Sequence, residues 1–382
     1  MKSRGFYAQS KIGEMVSRGR IFSDYRLPIS KENIQPASYE ARIGNEVYVN
    51  DRADRFSENQ GEKRKLTDGF ILEPGFVYRV RYIERLNLSP EERGFSNPKS
   101  RSGRAGINVR LIADDCPEAY DVIPAGYRGP ISAEITCRRG RTKIAPYMPL
   151  NQIRFANAPF EEIQFSAKDI IDYILKYRAR PNPTIGVLEN RQRVPLVNMI
   201  FDREGNEAPL DKIDFCGNAI VLHYSNSFPN DAGVVSYVAK KTKKILDIRK
   251  GKTNRLERFF KPISLDGIKS DEFVVDPSEF FLSSSAEILH CPPDLLMVTR
   301  PIDPRYGDVK GDHAGFIDPR WFGTITFEPI VYENVPFVFR TWQPMMGVLV
   351  SPVIGKVFDE YGKNQRNFHY GQVGVKAGPF YS

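Results

Sequence analysis

The chain has 382 residues, with 55 lysines and arginines against 47 aspartates and glutamates, so its formal net charge is +8. No apolar run approaches the roughly 18–20 residues that cross a bilayer, and no apolar stretch follows the charged amino-terminal residues, so we expect neither a membrane span nor a secretory signal. Because 41% of the residues are hydrophobic and 12% aromatic, the composition excludes a disordered chain and suffices for about two domains.

Two short helices are predicted, over residues 11–18 and 166–177, in a chain whose pattern is otherwise that of strands. Segments such as 76–82, 131–136 and 324–328 are short and rich in β-branched or aromatic residues. The 29 glycines and 28 prolines interrupt such segments at short intervals. This spacing indicates a mainly β protein built as a barrel or sandwich.

Residues 98–107 form the densest group of polar side chains, with three cations, two hydroxyls and two glycines. Glycine lets the backbone approach a ligand closely, and lysine, arginine and serine supply the donors that a polyphosphate requires. The pattern of a P-loop is missing. A basic surface turn is the alternative interpretation of the same residues.

Glu134 lies within an apolar strand and, by alternation, shares a face with Ser132 and Thr136. A partly buried carboxyl has its pKa raised toward neutrality, which suits a group that takes and returns a proton. A solvent-facing strand residue without a chemical role is the alternative.

The chain repeats itself. Phe70 and Glu84 correspond to Phe273 and Glu287 at an offset of 203 residues, and Glu134 corresponds to Glu328 at an offset of 194. We therefore predict two similar β-domains, residues 1–185 and 186–382, joined by a proline-containing linker over residues 178–184.

Four cysteines lie far apart without a C-x-x-C pair, and the chain has four histidines. This predicts a reduced, cytoplasmic compartment, and it argues against zinc ribbons, histidine metal cages and zinc-dependent deaminase chemistry.

Residues 240–261 contain ten basic and two acidic residues, so this segment accounts for the whole excess charge. Tyr237, Phe259 and Phe260 flank its cations, as in a surface that binds single-stranded nucleic acid. A solvated face is the alternative, and we do not expect nucleic acid as a partner.

Several motifs together resemble one family. They are the residues from Asn97 to Gly106, Ile123 to Pro130, Ile34 to Gly44, His313 to Pro319, and Tyr361 with Gln372-Val-Gly. In their order along the chain they resemble the dCTP deaminases, and more closely their two-domain bacterial form. The resemblance implies two tandem dUTPase-like, jelly-roll-like distorted β-barrels with a few short helices. It also implies a homo-oligomer, with a trimer favoured, whose active sites lie at subunit interfaces.

The resemblance further implies a hydrolase of nucleotide metabolism that deaminates dCTP to dUTP and ammonia. Glu134 would be the general base and acid on the attacking water, with Ser100 and Arg104 as its catalytic partners. No metal would be bound by protein ligands, because Mg²⁺ would arrive with the substrate triphosphate. The implied substrate-binding residues are Lys99, Arg101, Ser102, Gly103, Ser132, Ala133, Tyr361 and Gln372.

The sequence departs from the family pattern in both halves. Pro124 stands where the family has the aspartate of Ile-Asp-Pro, so a diphosphatase site is hard to build in the first half. The second half keeps Asp318 and Glu328, but Asp303 replaces the serine of the phosphate motif and Phe368 replaces a lysine of the tail. We therefore predict that the second domain is structural and carries a nucleotide-covering tail.

Two alternatives stay open: a dUTP diphosphatase or bifunctional enzyme that gives dUMP, and a non-catalytic nucleotide or nucleic-acid binding module.

Overall fold

The computed structural model describes residues 3–23, 27–51, 61–117, 119–178, 184–187, 193–195, 200–201, 208–225, 230, 232–249, 251–264, 272–276, 279–302, 315–328, 335–358 and 370–382. No helix among these residues is long and apolar enough to span a membrane.

Strands dominate the described residues, so the predicted mainly β class is confirmed. The four helices are α1 (Gln9–Ser17), α2 (Ser100–Arg104), α3 (Phe160–Ile163) and α4 (Ala167–Arg178), with single 3₁₀ turns at Lys31–Asn33, Leu210–Lys212 and Leu256–Arg258. The strands of the first half are β1 (Phe6–Tyr7), β2 (Ile21–Ser23), β3 (Glu46–Asn50), β4 (Glu62–Lys65), β5 (Phe70–Leu72), β6 (Val77–Asn87), β7 (Arg93–Pro98), β8 (Ile107–Ala113), β9 (Val122–Ile123), β10 (Arg128–Cys137), β11 (Thr142–Ile144), β12 (Asn151–Ala156) and β13 (Thr184–Val187). The strands that follow are β14 (Arg193–Pro195), β15 (Ile200–Phe201), β16 (Phe215–Cys216), β17 (Ala219–Ser225), β18 (Val234–Ala239), β19 (Leu246–Asp247), β20 (Phe260–Ser264), β21 (Glu272–Val275), β22 (Phe281–His290), β23 (Leu295–Pro301), β24 (Phe316–Ile317), β25 (Phe322–Phe327), β26 (Phe337–Arg340) and β27 (Pro344–Ile354).

The sheet that carries Glu134 has the strand order β4-β3-β6-β10-β8, with β2 added along β6. On β10 the side chains of Ile131, Ala133 and Ile135 are fully buried in the core. Because side chains alternate across a strand, Ser132 and Glu134 lie on the opposite face of this sheet. The alternation predicted for the segment is therefore confirmed.

The two halves are interlocked. Strand β1 pairs in parallel with β27 (Phe6 opposite Val353), and β11 pairs with β19 (Thr142 opposite Leu246). Aromatic side chains of residues 259–260 and 380–381 are buried in the same core cluster as the strands of the first half. The boundary at residue 185 stays a prediction, because residues 179–183 of the predicted linker lie outside the described part of the chain.

A buried carboxylate occupies equivalent places in the two halves. Glu84 accepts hydrogen bonds from the backbone N–H of Arg42 (2.8 Å) and from its Nε (2.7 Å). Glu287 accepts from the backbone N–H of His223 (3.0 Å) and contacts its Nδ1 (2.5 Å). This match between β6 and β22 supports the internal repeat that the 203-residue offset predicted.

Candidate active site

The short helix α2 fixes the orientation of two polar side chains. Lys99 precedes the helix in extended conformation, and the hydroxyl of Ser102 donates to the backbone carbonyl of Leu150 (2.9 Å), which anchors the turn on the barrel. Residues four apart on a helix lie on one face, so Ser100 and Arg104 are neighbours. The Nε of Arg104 donates to the Ser100 hydroxyl at 3.0 Å.

Arg104 faces a carboxylate of the second half. Glu328 follows directly after β25, and its Oε1 lies 3.7 Å from the Nε of Arg104. Both side chains are buried, with exposed fractions of 4% for Arg104 and 1% for Glu328. Arg104 also donates through Nη1 to the backbone carbonyl of Lys376. A cation and an anion are thus held together with little access to bulk water, where electrostatic interactions are strong.

Gln372 reaches the same place from residues 370–382, which cross back over the second half. Its Nε2 donates to the carbonyl of Thr324 (2.6 Å) and to the hydroxyl of Thr326 (3.0 Å). Its Oε1 is buried and has no hydrogen-bond partner among the described residues. The amide is therefore fixed with an acceptor available for a further partner.

These groups surround a cavity of about 80 Å³, which is room for several water molecules. Four apolar side chains line it together with seven polar or charged ones, and a concave site with convergent polar groups is typical of ligand binding. Most of the lining comes from the second half. The lining residues are Ser100, Arg104, Thr299, Phe316, Ile317, Asp318, Trp321, Ile325, Thr326, Glu328 and Gln372.

Asp318 brings a second carboxyl to this cavity. Burial raises its pKa, and the charges of Arg154 and Lys99, with a hydrogen bond from Arg154, oppose that rise. Among the described residues, no group of three or more histidine, cysteine, aspartate or glutamate side chains is placed to hold a metal ion.

Three of the predicted site residues, Ser100, Arg104 and Gln372, are brought together by the structure. The other predicted site residues between positions 99 and 103 have partners outside the cavity. Lys99 forms an ion pair with Glu40, and Arg101 donates to the carbonyl of Ile248. Ser102 and Gly103 are buried within α2.

Glu134, Ser132 and Ala133 do not line the cavity. Glu134 has an exposed fraction of 8% and stands opposite Arg79 and Arg110 in the register of its sheet. Its predicted catalytic role therefore stays a prediction, since within one chain the serine and arginine of α2 face Glu328. Tyr361, Asp303 and Phe368 lie outside the described residues.

Sequence reasoning noted Glu328 and Asp318 but assigned them to a structural domain. A signal for their role was available. The first half has the cationic motif and lacks the aspartate at Pro124, whereas the second half has Asp318 and lacks the cationic motif. Each half retains what the other has lost, which is the pattern expected when both contribute to one site.

The aromatic residues beside the basic segment are not available to stack on bases. Tyr237, Phe259 and Phe260 have exposed fractions of 5%, 5% and 0% and belong to the main core. The nucleic-acid interpretation therefore loses the aromatic contacts on which it partly rested.

Comparisons with known proteins agree on one family. Residues 3–159 match the family described as 2'-deoxycytidine 5'-triphosphate deaminase N-terminal domain, and residues 204–380 match its C-terminal domain. A protein of Hathewaya histolytica named "dCTP deaminase, dUMP-forming" is 30% identical over 146 residues, which cover 37% of this chain and 78% of that protein. One of the same name from Mycobacterium ulcerans is 37% identical over 75 residues, or 19% of this chain and 40% of that protein.

One solved structure resembles the whole chain. The crystal structure of 2'-deoxycytidine 5'-triphosphate deaminase from Agrobacterium tumefaciens superposes with a TM-score of 0.79 and covers 95% of this chain and 99% of that chain. At 22% identity, this likeness concerns the fold, and it supports the predicted dUTPase-like β architecture.

Proposed function

The chain belongs to the two-domain dCTP deaminase family, and from this membership we propose that it hydrolyses dCTP at C4 of the cytosine ring to give dUTP and ammonia. One observation carries the proposal. One cavity, lined by both apolar and polar side chains, brings together the serine and arginine of α2 and the carboxylate of Glu328.

In the proposed reaction, the carboxylate of Glu328 takes a proton from a water molecule as the water oxygen bonds to C4. The Ser100 hydroxyl holds that water, and the Arg104 guanidinium orients the carboxylate and offsets the developing negative charge. As the oxygen adds, the C4=N3 π electrons move to N3. Glu328 then returns the proton to the 4-amino group, the C4–N bond breaks and ammonia leaves, and the remaining proton of the attacking water passes to N3, which gives the 4-oxo group of uracil. No metal is proposed at the reacting carbon, and Mg²⁺ enters with the triphosphate.

Gln372 supports a preference for cytosine. Its Nε2 is occupied by two hydrogen bonds, so the amide offers the acceptor Oε1 to a bound ligand. The 4-amino group of cytosine is a donor, whereas uracil has an acceptor at the same position. We propose that this acceptor favours the substrate over the deaminated product.

The triphosphate is proposed to bind at the polar residues 98–107. Lys99, which pairs with Glu40, directly precedes Ser100, a lining residue of the cavity, and its charge acts to lower the pKa of Asp318. Arg101, Ser102, Gly103, Ser132, Ala133 and Tyr361 remain proposed substrate contacts from the family resemblance. The homo-oligomer, with a trimer favoured, is also a proposal, and native mass spectrometry measures it.

The cavity favours a catalytic contribution from the second half over the structural role predicted from the sequence. Glu134 as general base is the competing assignment. It would need a serine and an arginine from another chain, since within this chain those of α2 face Glu328.

Direct formation of dUMP is a second candidate function. The specific observation is Asp318, a carboxylate that shares the cavity with Ser100 and Arg104 and would be available to activate a second water for attack on phosphorus. Two relatives bear the name "dUMP-forming". The first half has Pro124 in place of an aspartate, but this does not exclude formation of dUMP, because Asp318 of the second half is an aspartate in the same cavity as Ser100 and Arg104.

The test incubates the purified chain with dCTP and Mg²⁺ and measures ammonia, dUTP, dUMP and pyrophosphate. Ammonia with dUTP supports the first candidate, and ammonia with equimolar dUMP and pyrophosphate supports the second. Absence of ammonia overturns both.

A further inference from the structure

Arg154 is a fully buried arginine that crosses from the first half to the second. It lies on β12, and its exposed fraction is 0%. Its Nη1 donates to the backbone carbonyl of Met297 at 3.0 Å, and its Nη2 donates to Oδ1 of Asp318 at 3.2 Å. The guanidinium carbon lies 4.2 Å from the centre of the Phe316 ring. All three partners belong to the second half.

A buried guanidinium is costly unless it is paired and hydrogen-bonded. Here two of its partners, Phe316 and Asp318, are themselves lining residues of the cavity. Arg154 thus stands behind the cavity wall and holds one oxygen of the Asp318 carboxylate. The hydrogen bond from Arg154 engages Oδ1 of a carboxylate whose side chain lines the cavity.

The charges around Asp318 also indicate that Arg154 acts on this carboxyl. Burial raises the pKa of Asp318, and Arg154 is the nearest group that opposes the rise. Lys99 approaches from the start of α2 and acts in the same direction. Across the cavity stand Arg104 and Glu328, and the buried thiol of Cys291 lies close by with a pKa raised by burial. Without Arg154, the buried carboxyl of Asp318 would lose the hydrogen bond and the ion pair that the structure gives it.

We propose that Arg154 is a positioning residue that keeps Asp318 ionised and directed at the bound nucleotide, so that it sets the lower pH limit of the reaction. This inference rests on the proposed deamination of dCTP in this cavity. It assigns a role to a residue that was not among the predicted site residues.

The experiment compares Arg154→Gln, Asp318→Asn and the double variant with the wild-type chain, measuring kcat and KM for dCTP from about pH 5 to pH 9. Because hydrogen bonds to charged groups are worth about 1.5–3 kcal/mol, kcat/KM of Arg154→Gln should fall roughly 10- to 100-fold at neutral pH. The acidic limb of its pH profile should move to higher pH. In the Asp318→Asn background, the same substitution should change kcat/KM by less than about threefold.

Arg42→Gln is the matched control, because Arg42 forms a buried ion pair with Glu84 (2.7 Å) away from the cavity. It should lower the unfolding temperature without moving the pH profile. If Arg154→Gln does not fold, the double variant, which removes both charges, is compared with Asp318→Asn alone. An unshifted acidic limb in a folded Arg154→Gln, or a further loss of tenfold or more in the double variant, overturns the inference. A wild-type chain that releases no ammonia instead overturns the proposed function.

Discussion

Replacing Glu328 with glutamine removes the carboxylate that is proposed to carry the proton, while the shape of the side chain is kept. Glu328 has an exposed fraction of 1%, and its Oε1 lies 3.7 Å from the Nε of Arg104. Bulk water therefore has little access to replace this carboxylate as the carrier of the proton. General acid–base catalysis contributes roughly 10²–10⁴-fold, so kcat for dCTP should fall by that factor. This corresponds to about 3–5 kcal/mol of activation free energy. KM should change little, because the hydrogen-bonding shape is retained.

Glu134→Gln is the matched control for this substitution. Glu134 is also a strand carboxylate with little exposure (8%), and it occupies the equivalent place in the repeat, but it stands opposite Arg79 and Arg110 outside the cavity. We expect its kcat to remain within about threefold of the wild-type value, since surface and remote substitutions rarely alter positioning in the site.

The assay follows ammonia release from dCTP in the presence of Mg²⁺, together with the loss of cytosine absorbance. Thermal unfolding of both variants shows whether each is folded at the assay temperature. The reasoning is refuted if Glu134→Gln is inactive while Glu328→Gln retains full activity, because the base would then be the residue predicted from the sequence.

Three further predictions concern Gln372 at the cavity, the His223–Glu287 pair and the buried contacts of Arg139. Gln372→Met should raise KM for dCTP by roughly 5- to 30-fold with a smaller effect on kcat, since it removes the acceptor Oε1 together with the two hydrogen bonds that hold the amide; equal inhibition of wild type and variant by dUTP would contradict the proposed discrimination. Burial alone would lower the pKa of His223, but the hydrogen bond and charge of Glu287, aided by Asp214, raise it above 6.5. Stability from this pair should therefore be full below pH 6.5 and fall as pH rises through the raised pKa, and urea unfolding of His223→Gln should lack that fall. Arg139→Met should lower the free energy of unfolding by about 1–3 kcal/mol, because the guanidinium lies 3.8 Å from the Phe260 ring centre and donates to the carbonyl of Phe259; an unchanged urea midpoint would contradict this.

Local patterns carried the predictions that the structure confirms. The alternation of residues 131–136 predicted the inward and outward faces of β10, and the spacing of apolar residues predicted α4 nearly to its bounds. The i,i+4 spacing of Ser100 and Arg104 is likewise a local feature, and both side chains do face one cavity. Such features follow from the periods of helix and strand and need no knowledge of the partner surface.

The carboxylate that faces α2 could not be predicted from such local patterns. Whether Arg104 faces Glu134 or Glu328 depends on how one barrel is placed against the other. That placement is fixed by contacts between distant residues, such as the parallel pairing of β1 with β27 and the crossing of Arg154 to Asp318. No period in the sequence encodes these contacts. The predicted nucleotide-covering tail stays a prediction, because Tyr361 lies outside the described residues, whereas Gln372 does line the cavity.

The complementary losses in the two halves then have a physical explanation. In a barrel that uses a neighbour to complete its site, one surface supplies the serine and arginine and another supplies the carboxylates. When two barrels are interlocked in one chain, the pairing of Arg104 on α2 with Glu328 uses one surface of each, and Asp318 lines the same cavity. The remaining surface of each half then does not have to supply groups to an active site. These surfaces carry Pro124 in the first half and the altered phosphate motif in the second. A site shared between the halves therefore accounts for both departures together, whereas a complete site in the first half accounts for neither.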